Sequence, residues 1–328
     1  MLVRTPQSPP QILPLPQSDN RPLWSVMIPS YNCINYLKKT IESVLIQAES
    51  ASIMQIEVID DFSTDGDVNA LVQQLGNGRV TFFQQAENVG SLRNFETCIN
   101  RAKGKYVHIL HGDDLVKPGF YKEISKLFNK YPSAGAAFTG CTDIDENDNY
   151  LWDSKKILDE PGIIKDWLLQ IATGQLLQTP CMVVKREVYE NLGSFYAVHY
   201  GEDWEMWSRI AANYPTAYTP LKLALYRVHS NNITSKSLRT GQNLKDISKV
   251  IDIIQNYLPE TLRKSLKKTA RMNYSIYASI FSDHIYHTQK NPAAATVQVW
   301  EAFKLHPNKR SLKRLIKILL KRAIFYKS

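Results

Sequence analysis

Short apolar stretches alternate with amphipathic ones between residues 24 and 110, and no other feature of the 328-residue chain restricts its fold as strongly. The pattern predicts strands at 24–28, 55–59, 80–84 and 106–110, with helices at 36–47 and 91–102. Strands and helices in this order are typical of a sheet covered by helices on both faces. We therefore expect an α/β fold with a parallel sheet.

Polar turns follow all four predicted strands, at 29–32, 60–66, 87–90 and 111–114. In open α/β sheets, ligands bind beyond the carboxyl ends of the strands. Because the ends of neighbouring parallel strands share one edge, these turns are expected to form a single acidic, polar rim. We expect the functional site at this rim.

The flanking segments predict the domain organisation. Residues 1–22 are rich in Pro, Gln and Ser, which indicates a disordered or extended lead-in to a main domain at 23–240. Residues 241–302 predict a helical extension, and 303–328 a basic amphipathic helix. The extension has apolar residues at three- and four-residue steps: Ile247, Ile251, Ile254 and Leu258.

The net charge is concentrated in the tail. The chain has 40 Lys and Arg against 31 Asp and Glu, and residues 303–328 hold nine of the basic residues and no acidic one. The rest is formally neutral, with 31 of each sign. The pI of about 9.2 therefore describes the tail, and no nucleic-acid partner is expected.

A helix is predicted at 309–326, with cationic and apolar residues on opposite faces. The basic face holds Arg310, Lys313, Arg314, Lys317 and Lys321, and the apolar face holds Leu312, Leu315, Ile316 and Leu319. Two interpretations stay open. The helix adsorbs to an anionic membrane surface, or it docks on the domain through Leu312, Ile316 and Leu319 with its cations in water.

The positions of the cysteines and prolines bear on the cellular compartment of the protein. Four dispersed cysteines without a CxxC pair predict thiols in a reducing environment: Cys33, Cys98, Cys141 and Cys181. Six prolines in residues 1–22 interrupt the apolar run of a signal peptide, and no later run reaches the roughly 18 apolar residues of a membrane span. We expect a cytoplasmic protein, with peripheral attachment to the cytoplasmic membrane face as an alternative.

The predicted rim offers carboxylates rather than a glycine-rich phosphate cradle. A GxxxxGK[ST] motif is absent, and the GNG at 76–78 is followed by Thr81 where GxGxxG needs glycine. Carboxylates hold a phosphate only through a hard divalent cation. Asp113 and Asp114 fit that role with Mg²⁺ or Mn²⁺, although aspartates there also suit a helix N-cap.

Seven segments carry a more specific signal: VMIPSYN, EVIDDFSTDG, ENVG, AKGKYVHILHGDD, REVYENLGSF, GEDWEMWSRIA and YRVHSNNIT. Their order and spacing resemble family 2 glycosyltransferases of the GT-A fold over roughly residues 24 to 235. Each segment alone is a weak match, whereas seven in register are specific. The resemblance implies a GT-A-like catalytic domain at 23–240, with a mixed, mostly parallel sheet flanked by helices, followed by a C-terminal helical extension.

The resemblance also implies a nucleotide-sugar site. Tyr31 resembles the residue that stacks on the base, and Asp61 resembles the carboxylate that accepts a hydrogen bond from a uracil ring nitrogen, with Asp60 supporting the loop. The remaining nucleotide-binding positions are Pro29, Asn32, Asn88, Gly90, Arg93, Asn94 and Asp113. Each role has a structural alternative. Tyr31 packs as a turn residue, Asp61 forms an Asx turn, or Arg93 is a solvated helix residue.

Metal binding and proton transfer are implied as well. Asp114 resembles the direct metal ligand and Asp113 a ligand to metal or ribose, although His111 stands where the family more often has aspartate. His229 resembles a histidine near the metal or diphosphate; a packed or surface histidine is the alternative. Glu202-Asp203 resembles the catalytic pair, with Asp203 as the base and Glu202 in reserve, whereas acidic residues also favour a helix start.

The implied function is an inverting, metal-dependent glycosyltransferase. It would move a sugar from a nucleotide-sugar donor, foremost a UDP-sugar, to a hydroxyl of a glycan or lipid-linked acceptor. A nucleotidyltransferase is disfavoured because residues 29–32 are not a glycine-rich basic loop. A catalytically degenerate nucleotide-sugar-binding or membrane-surface scaffold is the alternative from another class.

Overall fold

The computed structural model describes residues 3–16, 20–229 and 233–324, which form two compact units. The first unit comprises the chain up to Trp167, Leu176–Ala197 and Asn213–Val228. The second comprises Leu168–Gln175, Val198–Ala212 and the chain from His229 onward. The segment with Glu202 and Asp203 thus belongs to the same unit as the C-terminal helices, and the predicted boundaries at 240 and 302 stay predictions.

All ten described strands belong to the first unit and form one sheet in the order β3-β2-β1-β4-β9-β6-β10-β5, with β7 on β6 and β8 on β10. Their bounds are β1 Trp24–Ser30, β2 Met54–Asp60, β3 Thr81–Gln84, β4 Tyr106–Ile109, β5 Leu115–Val116, β6 Ala136–Ile144, β7 Tyr150–Asp153, β8 Gly162–Ile163, β9 Met182–Lys185 and β10 Thr216–Arg227. Strands β3, β2, β1 and β4 are parallel, and β9 is antiparallel to both β4 and β6. The sheet is therefore mixed, as predicted.

Twelve α-helices are assigned in the described ranges. They are α1 Ile34–Leu45, α2 Val68–Gly76, α3 Ser91–Arg101, α4 Phe120–Lys130, α5 Trp167–Ile171, α6 Arg186–Leu192, α7 Glu202–Asn213, α8 Ile233–Thr240, α9 Gln242–Ile254, α10 Glu260–His287, α11 Pro292–Leu305 and α12 Lys309–Ala323. Helix α3 shows why the apolar pattern predicted a helix: Leu92, Phe95 and Ile99 are buried at three- and four-residue steps. The six predicted elements between residues 24 and 110 are confirmed within two residues at each end.

Of the two states predicted for the lead-in, disordered or extended, residues 3–16 are not disordered but ordered against the folded unit. Ile12 is fully buried. The backbone carbonyls of Pro6 and Pro10 accept hydrogen bonds from Ala197 N–H at 2.9 Å and Ser194 N–H at 2.8 Å. An extended proline-rich segment has no internal hydrogen bonds, so its carbonyls remain available to the folded unit. Composition alone does not reveal such pairing. Residues 1, 2 and 17–19 of the lead-in lie outside the described ranges.

The second unit contains the predicted helical extension. Ile247, Ile251, Ile254 and Leu258 are all buried, as their spacing indicated. Helices α10, α11 and α12 share an apolar core of Ile285, Tyr286, Ala294, Ala295, Val299, Leu315 and Ile318. None of the helices in the described ranges is long and apolar enough to cross a membrane.

Helix α12 docks differently from the prediction. Leu315 and Ile318 are buried, whereas Leu312, Ile316 and Leu319 are exposed. The helix docks, but the predicted docking through those three residues is wrong, because the buried face holds Ser311, Leu315 and Ile318, about a quarter turn around the helix from them. The last four residues of the predicted tail, 325–328, lie outside the described ranges.

Candidate functional site

The turns after β1, β2, β3 and β4 are joined by backbone hydrogen bonds. Asp61 N–H donates to Ser30 O over 2.8 Å, and Gly112 N–H donates to Pro29 O over 3.0 Å. Gln85, after β3, donates to the last carbonyl of β2 over 2.8 Å. The four strand ends therefore form the continuous polar rim that the sequence predicted.

His111, Asp113 and Asp114 form a candidate cation site at this rim, where one ligand atom from each lies within 4.8 Å of the others. The Asp114 side chain is buried, and its Oδ1 accepts the N–H of Arg227 over 2.9 Å. Among the described residues, its buried Oδ2 has no hydrogen-bond partner and lies 3.8 Å from His111 Nδ1. Because a buried carboxylate oxygen needs a partner and oxygen ligands suit hard cations, the group fits Mg²⁺ or Mn²⁺.

The electrostatics of this group support the same assignment. Burial raises the pKa of Asp114 well above its usual range, and the charge of Asp113 raises it further. Burial lowers the pKa of His111, although Asp113 opposes that effect. Both pKa shifts have the same main cause, because a charged side chain loses favourable hydration when it is buried. A divalent cation would offset that cost for the two carboxylates.

Close packing holds the turn that carries the three candidate ligands. A Cβ on Gly112 would lie only 2.8 Å from Cys33 Sγ and 3.2 Å from Pro29 O, so a side chain there requires a shift. The His111 ring stacks on the Phe95 ring, with centroids 5.2 Å apart. Asp113 and Asp114 therefore project from a backbone that β1 and α3 fix in place.

Arg227, at the end of β10, is a functional candidate that the sequence analysis did not single out. Its Nε donates to the Asp113 carbonyl over 2.8 Å, and its Nη1 donates to the Asp145 carbonyl over 3.0 Å. The same Nη1 pairs with the Asp148 carboxylate at 2.6 Å, although the side chain is almost fully buried. Arg227 thus connects the turn that carries Asp113 and Asp114 to the hairpin between β6 and β7. Its place within the YRVHSNNIT segment was the available signal.

Asp60, the last residue of β2, and Asp61, the residue after it, have different surroundings. Asp60 accepts hydrogen bonds from Ser30 Oγ and from the backbone and hydroxyl of Ser63. Asp61 Oδ1 accepts Val89 N–H over 2.7 Å, and Oδ2 accepts Asn88 Nδ2 over 2.8 Å. Asp61 is only 2% exposed, and burial raises its pKa. Both side chains therefore hold loops, and contact between Asp61 and a base stays a prediction.

The turn after β1 presents one exposed ring. Tyr31 is 47% exposed, which leaves its face accessible for stacking. Asn32 has a positive φ of 50°, and its Oδ1 accepts Thr64 N–H over 2.8 Å. Pro29 is buried within β1. The first turn thus joins the second through Asn32, with Tyr31 on the outside.

The residues around the start of α3 are engaged with the protein itself. Gly90 N–H donates to Asp61 Oδ2 over 2.9 Å. Asn94 is buried and donates to the Ile59 carbonyl over 2.9 Å. The Arg93 guanidinium pairs with Glu96 at 2.6 Å and donates to the carbonyl of Val3. These contacts give Asn94 and Arg93 structural roles, while nucleotide contact by either stays a prediction.

Glu202 and Asp203 begin α7 in the second unit. Asp203 Oδ2 accepts Gln175 Nε2 over 2.6 Å, and Oδ1 accepts the Trp204 N–H over 2.8 Å. The side chain is 9% exposed. Burial raises the pKa of Glu202 well above its usual range, and the charge of Asp203 raises it further. Both effects favour the protonated form of Glu202.

Aromatic side chains surround Asp203. The Tyr274 ring packs 5.1 Å from the Trp204 ring, and its hydroxyl accepts the Gln175 N–H over 3.1 Å. Trp204 Nε1 donates to the Ile171 carbonyl over 2.7 Å. Sequence reasoning missed Gln175 and Tyr274 because neither belongs to a recognised segment, and only the fold brings them to α7.

His229 also belongs to the second unit. Its carbonyl accepts the Ser235 hydroxyl over 2.9 Å. The YRVHSNNIT segment continues into residues 230–232, which lie outside the described ranges. Metal binding by His229 stays a prediction, whereas His111 joins the two aspartates directly.

Comparison with known proteins agrees with this architecture. The family described as Glycosyl transferase family 2 matches residues 25–193, about half of the chain. An uncharacterized protein of Mycobacterium tuberculosis is 24% identical over 261 residues, which cover 75% of this chain and 80% of that protein. Two further relatives, named as uncharacterized glycosyltransferases, are matched over only 47% and 36% of their own length.

Solved structures share the fold. Residues 1–349 of Staphylococcus aureus TarS, in complex with UDP-GlcNAc, superpose with a TM-score of 0.64 at 13% identity, covering 93% of each chain. A mannosyltransferase from Pyrobaculum calidifontis, in complex with GDP-Man and Mn²⁺, gives 0.57 at 18% identity over 98% of this chain and 92% of that one. The mixed sheet is thus the GT-A sheet of these transferases. With its family match and this fold, the chain belongs to glycosyl transferase family 2 and is a glycosyltransferase.

Proposed function

We propose that the protein is a metal-dependent, inverting glycosyltransferase that moves a sugar from a nucleotide-sugar donor to a hydroxyl of a glycan or lipid-linked acceptor. The unsatisfied, buried Oδ2 of Asp114 beside Asp113 and His111 is the observation that carries the metal dependence. Asp113 and Asp114 would hold Mn²⁺ or Mg²⁺. When bound, such a cation stabilises the negative charge of the departing diphosphate.

A UDP-sugar is the first donor to test. TarS is described with UDP-GlcNAc, whereas the Pyrobaculum mannosyltransferase is described with GDP-Man. The exposed Tyr31 ring supports stacking on a nucleotide base, which every nucleobase allows. Other groups at the same rim therefore have to distinguish one nucleobase from another.

Asp203 is the proposed general base. In an inverting transfer, the acceptor oxygen bonds to the anomeric carbon as the bond to the diphosphate breaks, and the hydroxyl proton moves to the base. The amide of Gln175 and the N–H of Trp204 each donate to the Asp203 carboxylate, which orients it and favours its charged form. Burial and the charge of Asp203 favour the protonated form of Glu202, so Glu202 is the reserve rather than the base.

A thermal-shift panel of UDP, GDP, CDP and dTDP, each with and without Mn²⁺, tests the donor site. A ligand at about 100 times its Kd stabilises a protein by roughly 2.7 kcal/mol. We expect UDP to raise the Tm by several degrees only when Mn²⁺ is present. No shift with any nucleotide would contradict the proposal and would favour the degenerate scaffold.

The exposed side of α12 supports a membrane surface as a further partner. Leu312, Ile316, Leu319 and Leu320 are 42–59% exposed, and the cations Lys309, Arg310, Lys313 and Lys317 are exposed on the same helix. A helix that presents apolar and cationic side chains to water suits an anionic bilayer, where each Lys or Arg near the surface contributes about 1 kcal/mol. We propose that the protein attaches peripherally through α12.

Sedimentation with vesicles that contain phosphatidylglycerol tests this attachment. In the full chain, K313E/K317E is expected to weaken vesicle binding by about thirtyfold or more, since two near-surface cations are lost. K264E/K268E on α10 is the matched control, because it makes the same charge change at two exposed lysines. Equal losses in both variants, or no sedimentation of the unmodified protein, would contradict a specific role for α12.

A further inference from the structure

A cationic side chain from the N-terminal segment lies on the rim, next to the turns that follow β2 and β3. Arg4 donates from Nη2 to Asn88 Oδ1. A Cβ on Gly90, whose φ is +89°, would lie 3.1 Å from Arg4 Nε, so the guanidinium packs directly over that glycine. Its charge is also close enough to Asp61 to favour that carboxylate's ionised form. Arg4 lies outside the family match at residues 25–193.

The segment that carries Arg4 is anchored along its length. Arg93 Nε donates to the carbonyl of Val3 over 3.0 Å. Farther along the segment, the carbonyls of Pro6 and Pro10 accept backbone hydrogen bonds from Ala197 and Ser194. The Ile12 side chain is fully buried. The backbone also passes Gly193, where a Cβ would lie 2.7 Å from the Pro10 carbonyl oxygen. Arg4 is therefore held at the rim by contacts on both of its sides along the chain.

Accessibility distinguishes Arg4 from its neighbours. Asp61 is almost fully buried, and its oxygens already accept bonds from Asn88, Val89 and Gly90. Arg4 is exposed. A molecule that arrives at this part of the rim therefore meets the guanidinium before the carboxylate. The start of α3, at Ser91, adds the partial positive charge of a helix N-terminus.

We propose that Arg4 is a donor-binding residue, whose guanidinium contacts an oxygen of the bound nucleoside diphosphate. The inference rests on the proposed nucleotide-sugar donor. Guanidinium groups donate to base carbonyls and to phosphate oxygens alike, and a charge-assisted hydrogen bond is stronger than a neutral one. The N-terminal segment would thus add to the donor site a cationic side chain from outside residues 25–193, the range of the family match.

Calorimetric titration of the full chain with UDP in the presence of Mn²⁺ tests the inference. Arg4→Ala is expected to weaken UDP binding by about tenfold, the size of one charge-assisted hydrogen bond. Arg4→Lys should recover part of the loss, because the charge remains while the planar fork is lost. A parallel titration with uridine locates the contact: weaker uridine binding in Arg4→Ala indicates the base, and a loss confined to UDP indicates the phosphates.

Arg21→Ala is the matched control. Arg21 also belongs to the N-terminal region, but its guanidinium donates to the carbonyls of Lys103 and Gly104, ahead of β4. We expect its UDP affinity to equal that of the unmodified protein. Unchanged or tighter UDP binding in Arg4→Ala, or an equal loss in Arg21→Ala, would overturn the role of Arg4. Absence of UDP binding by the unmodified protein would overturn the proposed donor itself.

Discussion

Asp203→Asn is expected to lower the turnover number for sugar transfer by about 10²- to 10⁴-fold and to leave nucleotide affinity within about twofold. Asparagine has nearly the same shape, and its amide oxygen can still accept the N–H of Trp204 or the amide of Gln175. It cannot accept the proton of the acceptor hydroxyl. Release of UDP from a UDP-sugar, together with calorimetric UDP binding, measures the two quantities separately.

Two variants make the first prediction specific. Glu202→Gln is expected to be milder, because burial and the charge of Asp203 already favour the protonated form of Glu202. Asp252→Asn removes a carboxylate on α9 that pairs with Lys267 and Arg271, and should leave activity unchanged. If Asp203→Asn stayed fully active while Glu202→Gln lost activity, Glu202 would be the base instead.

Asp114→Asn is expected to weaken Mn²⁺-dependent UDP binding by at least about a hundredfold. The oxygen of the new amide can still accept the N–H of Arg227, so the turn should keep its shape. The variant removes the negative charge of the buried carboxylate, and a neutral amide is a poor substitute for a charged oxygen ligand. Calorimetric titration of UDP at several Mn²⁺ concentrations measures the effect.

Folding and surface charge are controlled in the same experiment. Asp159→Asn makes the same chemical change at a side chain that is 94% exposed, and should leave UDP binding unchanged. The circular dichroism spectrum of Asp114→Asn should match that of the unmodified protein. Metal-dependent affinity that survives in Asp114→Asn would exclude Asp114 as the principal ligand and leave Asp113 and His111 as the remaining candidates.

Local patterns predicted the part of the fold in which neighbours in sequence are also neighbours in space. Helix α3 and strand β1 were predicted because apolar periodicity is a local property. Strand β9 was not, since it lies between β4 and β6 and is antiparallel to both. Such pairing depends on contacts between segments far apart in the chain. The grouping of α7 with helices that follow it by dozens of residues depends on such long-range contacts as well.

The candidate site shows the same limit at the level of side chains. Asp113 and Asp114 were predicted because two carboxylates after a strand suit a cation, and the structure brings them together with His111. Arg227 was missed because its contacts with Asp113 and Asp145 depend on how β10 lies in the sheet. Arg4 was missed because a proline-rich composition predicted a disordered or extended lead-in rather than a part of the site. Extended segments that pair through single carbonyls leave no periodic signal.

Release of UDP from a UDP-sugar by the unmodified protein, followed while Mn²⁺ is added and then removed with EDTA, distinguishes a metal-dependent transferase from a nucleotide-binding scaffold. We expect release that requires the metal, stops with EDTA, and is strongly reduced in Asp203→Asn and Asp114→Asn. UDP binding without release under any metal condition would contradict it and identify a nucleotide-binding scaffold. Release that continues at full rate in EDTA would contradict the metal site at His111, Asp113 and Asp114.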